Sequence, residues 1–166
     1  MTQAPPGRLR IGAALLAFGL AATLAAGTRA DSGAGVVVHG PGNAVIAHVG
    51  EDAFCLHWAH SVTGGAVADC FEIRAGILVL VRSYLHDHAA GLGETPGRGK
   101  LLSAEGGGYW IEGINAPVPG NELALRVGAL RVGHRIVAGS QSVNLSALAA
   151  GQRVSLRPAA ASQDPG

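Results

Sequence analysis

Beyond Gly35 no window of eleven residues repeats its apolar side chains at helical spacing; short runs rich in Val, Ile, Leu and aromatic residues alternate instead with Gly, Pro and Asn. A chain patterned this way has no helical stripe to bury, but it can bury one face of a sheet, and the sequence therefore predicts an all-β domain. Candidate strands are Val36 to His39, Ala44 to Val49, Ala53 to Val62, Ala66 to Arg74, Ile77 to Leu85, Tyr109 to Ile114, Glu122 to Val127, His134 to Ala138 and Arg153 to Leu156. Pro41-Gly42-Asn43, Gly64-Gly65, Ala75-Gly76 and Pro117 to Asn121 supply the turn signals. Val143 to Ala150 suits either a short strand or a helical turn, and glycine-rich Gly91 to Gly108 reads as a long loop. About eight to nine short strands make a small antiparallel β-sandwich or barrel, and the pattern leaves both open.

The N-terminal part is different in kind. Arg8 and Arg10 precede an uninterrupted apolar run from Ile11 to Ala26, which Gly27, Thr28, Arg29 and Ala30 close. The run is shorter than the ~20 residues a membrane span needs, and small residues end it, as at a signal-peptidase site. We expect a secretory signal over residues 1–30 with cleavage after Ala30, one all-β domain over residues 31–158, and a disordered tail over residues 159–166. Such a protein is periplasmic or secreted; an uncleaved signal would instead anchor it in the inner membrane, facing the periplasm. No Cys follows the apolar run, which argues against a lipid-modified N-terminus.

Of the 12 Lys and Arg, Arg8, Arg10 and Arg29 leave with the signal, so nine bases remain against 11 acids. A near-neutral domain has no basic stripe to hold a phosphate backbone, and nucleic-acid binding is set aside. Gly106-Gly107-Gly108 lacks the strand-before, helix-after context of a phosphate loop, so no cofactor is expected from it.

One hairpin carries the polar residues of interest. Read as a two-residue type I′ turn, Gly64-Gly65 makes the numbers of facing residues sum to 129, so Val62 faces Val67, His60 faces Asp69, Trp58 faces Phe71 and Leu56 faces Ile73. All lie on one face, where His60 and Asp69 are the only polar members. Burying either alone would cost several kcal/mol, so the two are expected to form a cross-strand hydrogen bond. That pair can be structural, can bind a ligand, or can orient an imidazole for catalysis. Ser61 points to the opposite face in this register, which disfavours a serine-hydrolase triad.

The same register places Cys55 and Cys70 on one face but four positions out of alignment, about 13 Å along the strand. They are therefore expected to remain thiols, since a bond would require a sum of 125 and a four-residue turn. His86 and His88 alternate at a spacing two metal ligands can use, with Asp87 and His57 as further donors, but no third ligand is mapped by the sequence and the metal signal is weak.

His60-Ser61-Val62, Asp69 followed by Phe71 and Ile73, Ala90-Gly91-Leu92-Gly93 after Tyr84, and the aliphatic strand pattern near the C-terminus occur in an order that resembles a bacterial family, domain of unknown function 1850. The resemblance runs from Phe54 to Leu156. Two departures stand out: Asp69 replaces the Glu usual in the family, and Ala89-Ala90-Gly91-Leu92-Gly93 replaces the common Gly-Ala-Gly-Leu-Pro. The resemblance implies a periplasmic accessory protein, often encoded beside the fused membrane subunit of a tripartite ATP-independent (TRAP-type, TAXI class) transporter, with the permease or the solute receptor as partner. It carries no established activity.

These readings lead to a non-enzymatic accessory or binding protein around His60 and Asp69, with Ser61, Tyr84, Gly91 and Leu92 as neighbours. A hydrolase using His60 and Asp69 is the first alternative, and metal binding through His86 and His88 the second. Mass spectrometry of the exported product should find Asp31 at its N-terminus; an intact Met1 would overturn the cleavage site.

Overall fold

The computed structural model describes Met1 and residues 35–86 and 99–160. Within them the short apolar runs become eleven strands: β1 (Val36–His39), β2 (Val45–Val49), β3 (Ala53–Ala59), β4 (Ala66–Arg74), β5 (Ile77–Leu85), β6 (Lys100–Ser103), β7 (Tyr109–Pro117), β8 (Leu123–Arg126), β9 (Arg135–Ala138), β10 (Gln141–Asn144) and β11 (Arg153–Pro158). One five-residue helix, α1 (Leu145–Ala149), follows β10, and Asn144 caps it by accepting the Ala147 N–H at 3.0 Å. The strands form two antiparallel sheets, ordered β2-β1-β11-β8 and β10-β9-β3-β4-β5-β7-β6. The all-β expectation holds, and of its two forms the chain adopts the sandwich rather than the closed barrel.

The two strands beyond the expected number have local explanations. Lys100-Leu101-Leu102-Ser103 is too short and too glycine-flanked to stand out, yet it pairs with β7 along its whole length. Val143 to Ala150 proves to hold the end of a strand and a helical turn in succession.

Alternation explains the core. In β1 Val36 and Val38 are fully buried while Val37 and His39 are partly exposed, and in β11 Val154 and Leu156 do the same. These meet Phe54, Leu56, Phe71, Leu78 and Ile136 from the larger sheet. Each such side chain stabilises the fold by about 1.5–3 kcal/mol relative to exposure. Phe54 and Phe71 face each other across β3 and β4 with ring centroids 5.4 Å apart.

The central hairpin corrects the expected register. Cys55 faces Cys70, Phe54 faces Phe71, Leu56 faces Asp69 and Trp58 faces Val67, a sum of 125 rather than 129. Gly64 takes a positive φ of 74°, but Gly65 does not, so no type I′ turn forms there. Residues 61–64 make the loop instead, closed by Gly64 N–H to His60 O and His60 N–H to Gly65 O, both 2.8 Å. In this register the two cysteines are directly opposite, with Cα atoms 4.0 Å apart, and they are disulfide-bonded. The expectation of free thiols is thus overturned by the turn that the loop adopts. A cross-link spanning 15 residues removes about 3 kcal/mol of chain freedom from the unfolded state.

A two-residue turn of positive φ does occur, one hairpin later. Ala75 (φ 50°) and Gly76 (φ 77°) join β4 to β5, and the Asn121 amide braces them by donating to Gly76 O at 2.8 Å and accepting from Leu78 N–H at 2.7 Å. Left-handed backbone costs alanine roughly 1–2 kcal/mol that glycine avoids, against a smaller entropic penalty for glycine in the unfolded chain. Ala75→Gly should therefore raise stability by about 0.5–1 kcal/mol, read as a higher urea midpoint at unchanged slope.

Candidate functional site

The shift of register by four keeps the paired residues of β3 and β4 on their expected faces, but it carries His60 and Val62 out of the strand into the turn and separates the two polar residues. His60 moves beyond the end of β3 into the turn, while Asp69 lies opposite Leu56, four residues back along the strand, or about 13 Å. The expected His60–Asp69 hydrogen bond does not form. Asp69 takes its donor from the other side: Ser83, its register partner on β5, donates Oγ–H to Oδ1 at 2.5 Å. Ser83 is buried, and Asp69 sits between the sheets among Leu56, Val67 and Phe71. Burial pushes the Asp69 carboxyl above the ordinary carboxylate range, and the Ser83 bond partly offsets that rise.

His60 has a different task. Its Nδ1 accepts the Thr63 backbone N–H at 3.3 Å, as a cap does at the start of a helix, and the Thr63 hydroxyl in turn accepts from Gly65 N–H at 3.2 Å. An imidazole that accepts at Nδ1 carries its proton on Nε2 in the neutral form. The ring therefore carries a donor at Nε2. That tautomer is the wrong one for a triad, in which a carboxylate holds Nδ1–H and Nε2 takes a proton from the nucleophile.

Around the turn lies a cleft of about 280 Å³, lined by His60, Ser61, Val62, Thr63 and, from the loop between β8 and β9, Arg131 and Val132. Ala59 N–H donates to Val132 O at 2.7 Å and ties that loop to the end of β3. Ser146, 1% exposed, clamps the loop's base by donating to Gly128 O and accepting from His134 N–H, both 2.9 Å. His134 Nδ1 accepts Gly128 N–H at 2.9 Å, and its ring stacks on Trp58 at 5.9 Å. Burial lowers the His134 pKa, which keeps the ring neutral and able to accept. Gly128 is required here, since a Cβ would lie 2.7 Å from the Val132 side chain. The sequence reading missed Arg131; its signal is its place between Gly128 and Gly133 in the second copy of a tandem Ala-Leu-Arg-Val-Gly over residues 124–133.

The remaining candidates are scattered. Tyr84 is on the opposite face of β5 from Ser83, with its hydroxyl donating to Gly107 O at 3.0 Å and its ring 5.2 Å from Trp110. It therefore stands apart from Asp69. His86 is exposed at the end of β5, and its backbone N–H pairs with Ala66 O. His57 is across from Arg135, whose charge, after burial, holds its pKa down. Among the described residues no three His, Cys, Asp or Glu side chains gather as a metal site would require. Asp87, His88, Gly91 and Leu92 lie outside the described residues, as do residues 2–30 of the expected signal and residues 161–166 of the expected tail. A second cleft, of about 550 Å³, runs over the disulfide on the outer face of the larger sheet. Its charges are already matched, Arg74 with Glu72 at 2.8 Å and Arg82 with Glu112 at 3.4 Å, and Arg82 also lies over the Trp110 ring.

The chain is an open two-sheet antiparallel sandwich that keeps Asp69 away from His60 and carries a cleft at the tip of its central hairpin. The model of the family described as domain of unknown function (DUF1850) matches residues 54–145, more than half of the chain, and the protein belongs to that family. Neither a search of curated proteins nor one of solved structures returned a significant match.

The Asp69–Ser83 bond generates a pH-dependent prediction. Because the folded carboxyl has the higher pKa, ionising it costs the fold stability that is present at low pH and is lost as pH rises through the folded value. Ser83 moderates this by favouring the ionised form. Ser83→Ala should thus cost about 1–3 kcal/mol at pH 7 and less as the pH falls into the carboxylate range, seen in urea unfolding at both ends. An equal loss at both ends would remove Ser83 from the titration of Asp69.

Proposed function

We propose that the chain is an exported, non-enzymatic binding module that serves a TRAP-type solute uptake transporter, engaging its permease or its solute receptor through the tip of the β3–β4 hairpin. The observation that carries this reading is the tip itself. Val62 is 85% exposed and Leu130 69% exposed on the two loops that flank the cleft, so apolar surface is held out on a rigid, disulfide-stapled hairpin with nothing of the described chain covering it. Such residues supply the contact area of an interface when a partner desolvates them. The disulfide supports export, because a bond of this kind persists in an oxidising compartment and is rare in the cytosol. The transporter link comes from the family resemblance.

Hydrolysis has weaker support, since His60 lacks both the carboxylate and the tautomer that would make it a base. The test uses the purified mature protein and the purified solute receptor, and separately the detergent-solubilised permease, of a TRAP transporter encoded next to its gene. Saturable binding to one of them is expected, weakened at least tenfold by Val62→Asp or Leu130→Asp, which bury a charge at the interface and leave the exposed-loop fold intact. Binding to neither, or binding indifferent to both substitutions, would overturn the reading.

A further inference from the structure

We infer that the hairpin-tip cleft is a carboxylate-binding site in which the Arg131 guanidinium and the His60 Nε2–H are the principal donors. The argument begins from which hydrogen-bonding groups of the cleft are already used. Thr63 N–H is committed to His60 Nδ1, Gly64 N–H to His60 O, and the Thr63 hydroxyl accepts from Gly65 N–H. Among the described residues, the Arg131 side chain, the Ser61 hydroxyl, the Ser61 and Val62 backbone N–H groups and His60 Nε2 have no protein partner. Every one of these is a donor or, for the hydroxyl, can donate.

No Asp or Glu lines the cleft, so no fixed negative charge there competes with an anion for the guanidinium. The His60 tautomer strengthens this selection, because Nδ1 is spent on the turn and the other ring nitrogen carries the N–H. The acceptor that fits is a monoanion. One permanent positive charge, on Arg131, balances a carboxylate, whereas a phosphate dianion would require a second fixed cation.

Arg131 is also held for the purpose. Its loop is fastened on both sides, by Ala59 N–H to Val132 O and by the Ser146–Gly128–His134 network, so little freedom of the backbone is lost when the guanidinium is engaged. Val62 and Leu130, projecting beside it, favour a carboxylate that arrives with apolar neighbours, as on a peptide chain, over a free small acid. This choice of source rests on the reading of the tip as a partner surface; the carboxylate site itself does not.

The experiment follows the backbone amides of Ser61, Val62 and Thr63 by proton–nitrogen NMR in the mature protein. Two probes are titrated: propionate, and an acetylated, amidated peptide with a single Glu between leucines. Saturable shifts with both are expected, with the peptide binding at least fivefold tighter, and Val62→Ser removing that advantage. Arg131→Gln should weaken both about tenfold, while Arg74→Gln, at the other end of β4, should leave them unchanged. Arg131 is exposed, so the variant tests the charge and not the fold. Equal binding of propionate and peptide would keep the carboxylate site and assign it to a small acid, in which case the partner reading is what fails. No saturable shift at about 50 mM of either probe, shifts that survive Arg131→Gln, or tighter binding of inorganic phosphate would overturn the site.

Discussion

The pairing of Cys55 with Cys70 sets the geometry of everything else in the larger sheet. It fixes which residues of β3 and β4 face each other, and through β4 it fixes the alignment of β5, β7 and β6. It also decides the loop, because two strands locked at this register leave residues 61–64 to turn the chain. In this four-residue turn Gly64 provides the one residue of positive φ, and the His60 side chain accepts from the Thr63 amide. The disulfide and the imidazole are thus parts of one local solution, and neither can be moved without moving the other.

That solution divides the polar residues of the hairpin between two environments. Asp69 stays on the core-facing side of β4, partly buried, where Ser83 on the next strand donates to it, and the carboxylate becomes a matter of stability and pH. His60 is carried out to the rim, where the loop after β8 brings up Arg131. The acid and the imidazole, about 13 Å apart along the strand, do different work, and neither orients the other.

Much of the fold was legible in the pattern. β4 and β5 were bounded to the residue, since both are long runs of alternating or continuous apolar side chains closed by Arg74-Ala75-Gly76 and by His86. Face assignment in the hairpin also survived, because registers of 129 and 125 have the same parity and an even slip turns no side chain over. What could not be read was the slip itself. Two adjacent glycines signal a type I′ turn by composition, while the competing four-residue turn depends on a histidine bonding three residues ahead, a contact that leaves no trace in hydrophobic periodicity. The type I′ geometry was used at Ala75-Gly76, where one of the two residues is the less permissive alanine. Arg131 was invisible for a further reason: it reaches the tip only through long-range contacts from Ala59 and Ser146, and spacing along the chain cannot announce those.

The lengths of the strands fall from the middle of the larger sheet to its rims: β4, β5 and β7 have nine residues each, whereas β6 and β10 have four. The smaller sheet likewise ends in β2, of five residues, and β8, of four. An open sandwich exposes unpaired backbone at every rim, the template on which one molecule can recruit another into an extended fibre. Short rims offer an incoming strand only a few hydrogen bonds, and Lys100 on β6 and Arg126 on β8 add charge to two of them. The tapering therefore does for colloidal behaviour what closure does for a barrel, and it leaves a crowded solution of this protein with little to polymerise along.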